Sequence, residues 1–381
     1  MICQGVCACL KGSLDYYPKL LLYKKQVKRF FSCLFASIAM LLAGCYSPPV
    51  QPSEEPHSAV AQEEAENTEE DNELPMELEL LPPGEKLPVS YYREIWAYLV
   101  RDREEALKVD YPISDLGYFG AELDSYGKLI DVPDIKRISY FSGRVHLVVA
   151  CNSKALTHFV LIEGSAERKA LIRDLLEAAK PFHGLQIDFE NVLPKDGDAF
   201  LSFLRDLRAG LKGKIFSVAL PARTRILQDD VYDYTKIKGL ADRILVMAYD
   251  EHWSTSDPGP IASMGWCQRV AKYALETIST EKLIMGLPFY GRSWGNVNAN
   301  KAYLHSGIET TMQEQNIEKP DRENGIPTFR YETPLSVTVY YEDAYSLSAR
   351  LEMYKKLGVN SVGFWRLGQE TPAFWPLIGL Q

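Results

Sequence analysis

The sequence predicts an α/β protein that folds as a (β/α)8 barrel, the TIM-barrel architecture. Short runs of β-branched or aromatic residues alternate with helix-like patterns after residue 90, which is typical of parallel strands joined by crossover helices. Eight such runs fit into about 290 residues, the size of one barrel. A doubly wound open sheet is the alternative, but no glycine-rich phosphate loop follows any predicted strand.

The pattern places eight strands, four of the helices and one insertion. The predicted strands are 94–100, 115–122, 145–151, 184–189, 214–220, 243–249, 282–288 and 361–365. The predicted helices are 166–179, 198–211, 266–278 and 345–357. The stretch 295–343, between the seventh and eighth strands, is too long for a barrel loop. Strand-like runs at 329–331 and 337–341 predict that it forms a small β-hairpin over the barrel mouth.

The net charge of −9 is concentrated before the predicted barrel. Residues 46–90 hold twelve acidic residues against the single Lys86, with many Pro, Ser and Gln and almost no aromatic residues. This composition predicts a disordered acidic linker, and a segment that binds a basic partner or cations is the alternative. The barrel, residues 91–381, is near neutral and lacks the basic surface of a nucleic-acid-binding protein, so we expect no nucleic-acid partner.

The first 45 residues have the features of a leader. A basic cluster at 24–29 precedes the apolar run 30–43, which is shorter than the roughly 20 residues of a membrane-spanning helix and is typical of a secretory signal. The ending Leu-Leu-Ala-Gly-Cys at 41–45 resembles a bacterial lipobox, which implies cleavage before Cys45 and acylation of that cysteine. We therefore expect an exported lipoprotein, anchored to a membrane through Cys45 and facing the periplasm or the cell surface. An uncleaved N-terminal anchor is the alternative.

The cysteines and histidines predict no metal site. Of seven cysteines, only Cys151 and Cys267 would remain after loss of the leader and acylation of Cys45. Two cysteines form neither a disulfide framework nor a four-cysteine metal cluster, although a single bridge is an open alternative. The histidines show no ligand spacing, and we expect neither a metal nor a cofactor.

The most informative stretch is 183–191, which reads His-Gly-Leu-Gln-Ile-Asp-Phe-Glu-Asn. On a strand, Gln186, Asp188 and Glu190 share one face. In a barrel this face would line the interior and reach the carboxyl-terminal mouth at Glu190. Two carboxylates so close repel each other, which raises the pKa of at least one and allows it to act as a general acid near neutral pH. A solvated strand end with alternating charges is the alternative.

The same stretch resembles the catalytic strand of family 18 glycoside hydrolases, whose pattern is Asp-Gly-x-Asp-x-Asp-x-Glu. Gly184, Asp188 and Glu190 match this pattern, whereas His183 and Gln186 each stand where it has Asp. Spore-type peptidoglycan glucosaminidases of that family often carry Asn in place of the second Asp, so Gln186 is a mild departure.

Three further motifs follow in the family's order. Residues 247–250, Met-Ala-Tyr-Asp, are similar to the sixth-strand motif, 286–292 to the seventh-strand motif, and 363–365, Gly-Phe-Trp, to the eighth-strand motif. The resemblance covers about residues 92–378.

The resemblance implies retaining hydrolysis with substrate assistance, an exception to the usual scheme with two carboxylates. Glu190 would protonate the glycosidic oxygen and later activate water, while the substrate's own acetamido oxygen would be the nucleophile. Asp188 would accept the acetamido N–H and stabilise the positive intermediate, and Tyr249 would orient the acetamido group. Trp365 would form the aromatic floor under the sugar. The other predicted substrate-binding residues are Asp250, Tyr290, Arg292, Gln186 and Met247; an ion pair is the alternative for Arg292, and packing for Met247.

These observations predict a monomeric, lipid-tethered hydrolase of β-linked N-acetylglucosamine-containing glycans. Peptidoglycan is the first expected substrate, chitin-type oligosaccharides the second and host glycans the third. A catalytically silent glycan-binding surface lipoprotein on the same barrel is the alternative, and the retained Glu190 favours an enzyme. Trp96 and Tyr98 on the first strand are further candidates to line the cleft, and we expect at least one of them to face the helices.

Overall fold

The computed structural model describes residues 86–296 and 301–381. The predicted leader, Cys45 and most of the predicted linker lie outside these residues. The strands, in chain order, are β1 (Ser90–Tyr92), β2 (Glu94–Val100), β3 (Asp115–Leu123), β4 (Leu129–Ile130), β5 (Arg144–Cys151), β6 (Gly184–Phe189), β7 (Ile215–Pro221), β8 (Arg243–Met247), β9 (Leu283–Pro288), β10 (Gly291–Gly295), β11 (Lys301–Tyr303), β12 (Asp321–Glu323), β13 (Ile326–Thr333), β14 (Leu335–Tyr340), β15 (Ser361–Trp365) and β16 (Ile378–Leu380).

Helices follow most of the barrel strands. The α-helices of the described residues are α1 (Lys154–Leu161), α2 (Ala166–Ala178), α3 (Gly197–Gly210), α4 (Tyr234–Ile237), α5 (Met264–Thr277), α6 (His305–Glu314) and α7 (Ala344–Leu357). Side chains cap the first turns of five of these helices, as where Ser165 accepts from the backbone N–H of Arg168 at the start of α2. Asp343 and Ser346 form a capping box on α7, which ends at Gly358 in the left-handed conformation that glycine adopts without strain. No helix of this part of the chain is both long and apolar enough to cross a membrane.

Eight parallel strands close into a barrel, in the order β2, β3, β5, β6, β7, β8, β9 and β15, with β15 pairing back to β2. The predicted TIM-barrel class is therefore confirmed, and every predicted barrel strand agrees with the observed one to within two residues at each end. The largest difference is at β8, which ends at Met247 instead of residue 249. The chain turns out of the ladder there because the N–H of Ala248 donates to the carbonyl of Val246 (2.9 Å).

The barrel strands separate two sets of buried side chains. The interior is filled by Trp96, Tyr98, Val148, Ala219, Leu245 and Ile284. The outer faces pack under the helices, as where Phe189 stacks on Phe203 of α3 with ring centroids 5.6 Å apart. Trp96 and Tyr98 both point inward, so the expectation that one of them faces the helices is wrong: residues two apart on a strand share a face.

Buried ion pairs cross the amino-terminal end of the barrel. Glu94 at the start of β2 contacts Arg144 (3.2 Å) and Arg243 (2.6 Å). Asp115 at the start of β3 binds the same Arg144 (2.7 Å) and His146 (2.8 Å). Burial lowers the pKa of His146, so this imidazole is neutral and its Nε2–H donates to Asp115. These contacts fasten the first strands to their neighbours at the end of the barrel opposite to Glu190.

The two ends of the described chain meet at this amino-terminal end. β1 pairs in parallel with β16, with Ser90 opposite Ile378. The N–H of Arg93 donates to the carbonyl of Asn360 (2.9 Å), just before β15 begins. The chain therefore enters and leaves the barrel at the end where the strands start.

The insertion between β9 and β15 is larger than the small hairpin that the sequence predicts. It forms a five-stranded antiparallel sheet in the order β11, β10, β14, β13 and β12, together with α6. The predicted hairpin corresponds to β13 and β14, whose pairing runs from Thr328 opposite Tyr340 to Thr333 opposite Leu335. The sheet has a core of its own, formed with Ile308 of α6.

Candidate active site

The predicted catalytic strand is β6, and its side chains alternate as expected. Leu185, Ile187 and Phe189 belong to the outer core. Glu190 follows directly after β6, where its N–H still donates to the carbonyl of Cys151 in β5 (3.1 Å). Its side chain is partly exposed at the carboxyl end of the barrel, where (β/α)8 enzymes place their chemistry.

Asp188 is buried below Glu190, with 8% of its surface exposed. Its Oδ1 accepts no hydrogen bond from the described residues. Burial raises the pKa of this carboxyl to about 7, because a charge is poorly solvated in the barrel interior. The sequence predicts a raised pKa on a carboxyl of this strand from repulsion between the two carboxylates, and in the folded protein burial raises the pKa of Asp188.

Gln186 lies one further step inside the barrel and is fully buried. The hydroxyl of Tyr98 donates to its Oε1 (2.7 Å), and its Nε2 donates to the Oγ of Ser217 (3.2 Å). Both ends of the amide are thus held by neighbouring strands. This placement does not agree with the predicted contact between Gln186 and substrate. The side chain instead fills the barrel interior beneath Asp188.

Tyr249 follows the end of β8 and projects across the neighbouring strand. Its ring packs over Gly286 of β9, where a Cβ atom would come within 3.0 Å of the ring and 2.8 Å of the carbonyl of Val246. The seventh-strand glycine therefore provides the space that Tyr249 occupies. Burial raises the pKa of Tyr249 well above its usual value, and the charges of Asp188 and Glu190 add to this. The phenol stays protonated and can donate a hydrogen bond.

Asp250, Tyr290 and Arg292 are bound to each other. The hydroxyl of Tyr290 donates to Asp250 Oδ1 (2.6 Å), and two nitrogens of Arg292 reach the same oxygen (3.0 and 2.9 Å). The side chains of Arg292 and Asp250 are only 8% and 13% exposed. The structure thus contains the ion pair that is the alternative for Arg292, and substrate contacts of the three residues stay predictions.

Trp365 ends β15 and is partly exposed at the mouth. Its ring meets Tyr98 at 5.7 Å and the edge of Phe119 at 5.0 Å between centroids. These contacts fix the indole as a platform on which an apolar sugar face can rest. Met247 packs against the same interior cluster, and its partial exposure leaves the predicted substrate contact open.

His183 lies outside this group. It is exposed at the start of β6, where its Nδ1 accepts from the N–H of Val145 (3.0 Å). The length of β6, about 20 Å, separates it from Glu190. Within residues 86–296 and 301–381, no cluster of His, Cys, Asp and Glu side chains could hold a metal ion. Cys151 and Cys267 are buried and free, so they form no bridge.

Three residues near the site are absent from the predicted set. Ser217 is opposite Gln186 in the register of β6 and β7, so strand alternation and pairing order together could have found it. Phe119 lies in the middle of β3, next to Trp365, and the same reasoning applies to it. Tyr232 lies in the loop after β7, where no periodicity in the sequence marks it. Its hydroxyl contacts the backbone on both sides of Glu190.

The geometry defines the class of protein. A partly exposed carboxyl, a buried carboxyl with a pKa near neutrality, a protonated tyrosine and an aromatic platform meet at the carboxyl end of a (β/α)8 barrel. This combination is suited to acid-base chemistry on a sugar. The model of glycosyl hydrolases family 18 matches residues 97–370. The chain belongs to this family of glycoside hydrolases.

Several relatives are named for glycan cleavage. The chain is 30% identical over 260 residues to YdhD of Bacillus subtilis, named as a sporulation-specific glycosylase, with 64% of this chain and 61% of that protein aligned. It is 26% identical over 288 residues to the cortical fragment-lytic enzyme of Bacillus anthracis, with 69% of this chain and 66% of that protein aligned. The chain thus spans slightly less than two thirds of the length of these relatives.

Solved structures share the fold. The spore cortex-lytic enzyme SleL of Bacillus cereus superposes with a TM-score of 0.68 at 24% identity, covering 79% of this chain and 77% of that one. A chitinase of Chromobacterium violaceum gives a TM-score of 0.65 at 22% identity, covering 75% of this chain and 97% of that one.

Proposed function

We propose that the protein hydrolyses β-linked N-acetylglucosamine-containing glycans with retention of configuration and with assistance from the substrate's acetamido group. The observation that carries this proposal is Asp188, a buried carboxyl directly below Glu190 whose Oδ1 accepts no hydrogen bond from the described residues. An acetamido N–H is a donor that such an oxygen lacks. Glycosidases in which two enzyme carboxyl groups perform the reaction do not need a residue that binds the substrate's acetamido group.

Each side chain then has a defined part in the reaction. Glu190 is partly exposed and donates its proton to the glycosidic oxygen, then takes a proton from the incoming water. The acetamido oxygen attacks the anomeric carbon, held in place by the hydroxyl of Tyr249. Ionised Asp188 accepts the acetamido N–H and stabilises the positive ring that forms. Trp365 supports the apolar face of the same sugar.

Peptidoglycan is the first proposed substrate. The names of two relatives, a cortical fragment-lytic enzyme and a sporulation-specific glycosylase, support this order. Chitin-type oligosaccharides are second, supported by a chitinase among the structures that share the fold. We further propose that the protein acts as a monomer, exported and held at a membrane by a lipid on Cys45.

The test of this proposal is cleavage by the full chain and by Glu190→Gln. Purified peptidoglycan and chitin oligosaccharides are digested separately, and new reducing ends are identified by mass spectrometry. We expect N-acetylglucosamine at the new reducing end, and a loss of about 100-fold to 10,000-fold in rate for the variant, because it lacks the acid and base. Glu177→Gln, on the outer surface of α2, makes the same substitution away from the barrel mouth and should retain full activity.

Two outcomes oppose the proposal. Binding of either polymer without cleavage would favour the catalytically silent glycan-binding protein. Turnover that is the same in Glu190→Gln would come from a contaminant. Substrate assistance has its own test: oligosaccharides with a free amine in place of the acetamido group at the reacting sugar should resist cleavage, because they lack the nucleophile.

A further inference from the structure

The backbone that carries Glu190 has a strand partner on one side only. Toward β5, the pairing continues to Phe189 opposite Cys151, and the N–H of Glu190 extends it by one more hydrogen bond. Toward β7, the pairing ends two residues before Phe189, with Ile187 opposite Val218. The carbonyl of Phe189 and the amides that follow therefore need another partner on the β7 side.

A single side chain supplies that partner. The hydroxyl of Tyr232 donates to the carbonyl of Phe189 (2.9 Å) and accepts from the N–H of Val192 (2.9 Å). These two groups stand on either side of Glu190 in the sequence. One phenol oxygen thus closes the short loop from which the catalytic carboxyl projects.

The loop after β7 holds Tyr232 firmly. Its ring is 2% exposed and meets Phe200 of α3 edge-on, with centroids 6.1 Å apart. Its own N–H donates to Asp230 Oδ1 (3.0 Å), and Asp230 forms a buried ion pair with Arg223 (2.7 Å). Because the aromatic ring has few torsions and both ends of the residue are bound, the position of its hydroxyl is fixed before any substrate arrives.

The loop after Glu190 is also held on its β5 side. Asn191 has a positive φ of 59°, a conformation that Asn tolerates better than most residues. Its Nδ2 donates to the carbonyl of Asn152 (3.2 Å), in the segment after β5. The turn after Glu190 is therefore held from the β5 side by Asn191 and from the β7 side by Tyr232.

We propose that Tyr232 is a positioning residue that aims Glu190 at the glycosidic oxygen. The inference rests on the proposed function of Glu190 and deepens it. A general acid acts only within hydrogen-bond reach of the atom that it protonates, so a small displacement of its backbone lowers the rate of the chemical step. We expect substrate affinity to depend on exposed side chains of the mouth such as Trp365, whereas Tyr232 is buried, so binding should change little.

The experiment compares Tyr232→Phe with Tyr234→Phe in the full chain. Tyr234 is also buried, lies two residues further along and donates to the carbonyl of Pro221 (2.7 Å), so its variant loses a comparable hydroxyl away from Glu190. With a chitin oligosaccharide as probe, kcat of Tyr232→Phe should fall about tenfold or more, with KM within about twofold of the wild type. Tyr234→Phe should keep its kcat within about twofold.

A second measurement does not depend on activity. Hydrogen exchange of the Val192 amide should become at least about tenfold faster in Tyr232→Phe, because the amide loses its acceptor. Exchange in the middle of β6 and the melting temperature should match those of Tyr234→Phe, which separates a local effect from a loss of fold.

The outcomes separate the two proposals. An unchanged kcat in Tyr232→Phe, or equal losses in the two variants, would overturn the positioning role while leaving the hydrolase intact. If the wild type cleaves neither polymer, the proposed function fails and the positioning role fails with it; Val192 exchange then reports only on the hydrogen bond to Tyr232.

Discussion

At the scale of single residues, Asp188 shows how burial sets the protonation of a carboxyl. It is a carboxyl in the interior of the barrel, and burial raises its pKa to about 7. The neighbour below it, Gln186, is a neutral amide held by Tyr98 and Ser217. Asp188 can therefore ionise near neutral pH, which the proposed stabilisation of a positive intermediate requires.

The same carboxyl makes stability depend on pH. In the folded protein Asp188 retains its proton up to about pH 7, whereas the unfolded chain releases it near the ordinary value of 3.8. The folded state thus binds more protons between these values, and the free energy of unfolding falls as pH rises, by up to about 1.4 kcal/mol per pH unit from this group. We expect Asp188→Asn to remove this dependence.

Urea unfolding of both proteins at pH 4, 6 and 8 measures the effect. The variant should gain stability relative to the wild type as pH rises from 4 to 8, with any difference at pH 4 acting as a constant offset. Parallel stability curves for the two proteins would contradict the raised pKa. The variant should also lose cleavage activity, since a neutral amide cannot stabilise the intermediate as a carboxylate does.

At the scale of secondary structure, Asp250, Tyr290 and Arg292 join the end of β8 to the start of the inserted sheet. Asp250 turns the chain at a positive φ of 61°, and Arg292 already belongs to β10. The buried pair therefore connects the barrel mouth to the insertion, and it orients Tyr290 beside Tyr249, with the two rings edge-on at 6.4 Å.

Replacing one member of this ion pair should lower the free energy of unfolding more than replacing both members. Arg292→Met takes the guanidinium away from a largely buried carboxylate, and we expect a loss of about 3–5 kcal/mol in the free energy of unfolding. The double variant Asp250→Asn with Arg292→Met should regain part of that loss, because no charge is then left buried. Urea unfolding of the two single variants and the double variant completes the cycle, and additive losses would argue against direct coupling.

The strands of the barrel could be predicted from sequence, whereas only the hairpin of β13 and β14 could be predicted in the insertion. Strands such as β2 and β6 are buried on both faces, so their apolar residues and the alternation of Gln186 and Asp188 mark them clearly. β12 is a fully exposed Asp-Arg-Glu strand, and α6 contains β-branched threonines and few apolar residues. Such segments take their structure from pairing with distant strands, which local pattern does not encode.

In the candidate site too, residues on strand motifs could be predicted from the sequence, whereas a residue placed by a long-range contact could not. Asp188 and Trp365 lie in barrel strands and Glu190 and Tyr249 just after them, so the motifs that mark those strands also place these side chains at or just below the mouth. Tyr232 depends on a long-range contact between two loops. Only the folded chain shows that its hydroxyl bridges Phe189 and Val192.

At the scale of the whole molecule, the proposed lipid at Cys45 has a direct test. Cys45→Ala should move the protein from the detergent-rich to the aqueous phase in a detergent partition experiment, because acyl chains supply the membrane affinity. Cys33→Ala is the matched control: the same substitution lies before the expected cleavage site and should leave partition unchanged. Partition of Cys45→Ala into detergent would argue for an uncleaved anchor.

The pairing of β1 with β16 has a practical consequence for how the enzyme can be held. Both ends of the described chain are fastened where Glu94, Asp115 and their arginines seal the base, a full strand length from Glu190. A lipid or a chromatography bead joined ahead of residue 86 is therefore attached to the amino-terminal end of the barrel. The open rim is then left clear, so attachment at this end should leave the cleavage rate on a soluble oligosaccharide close to that of the free protein.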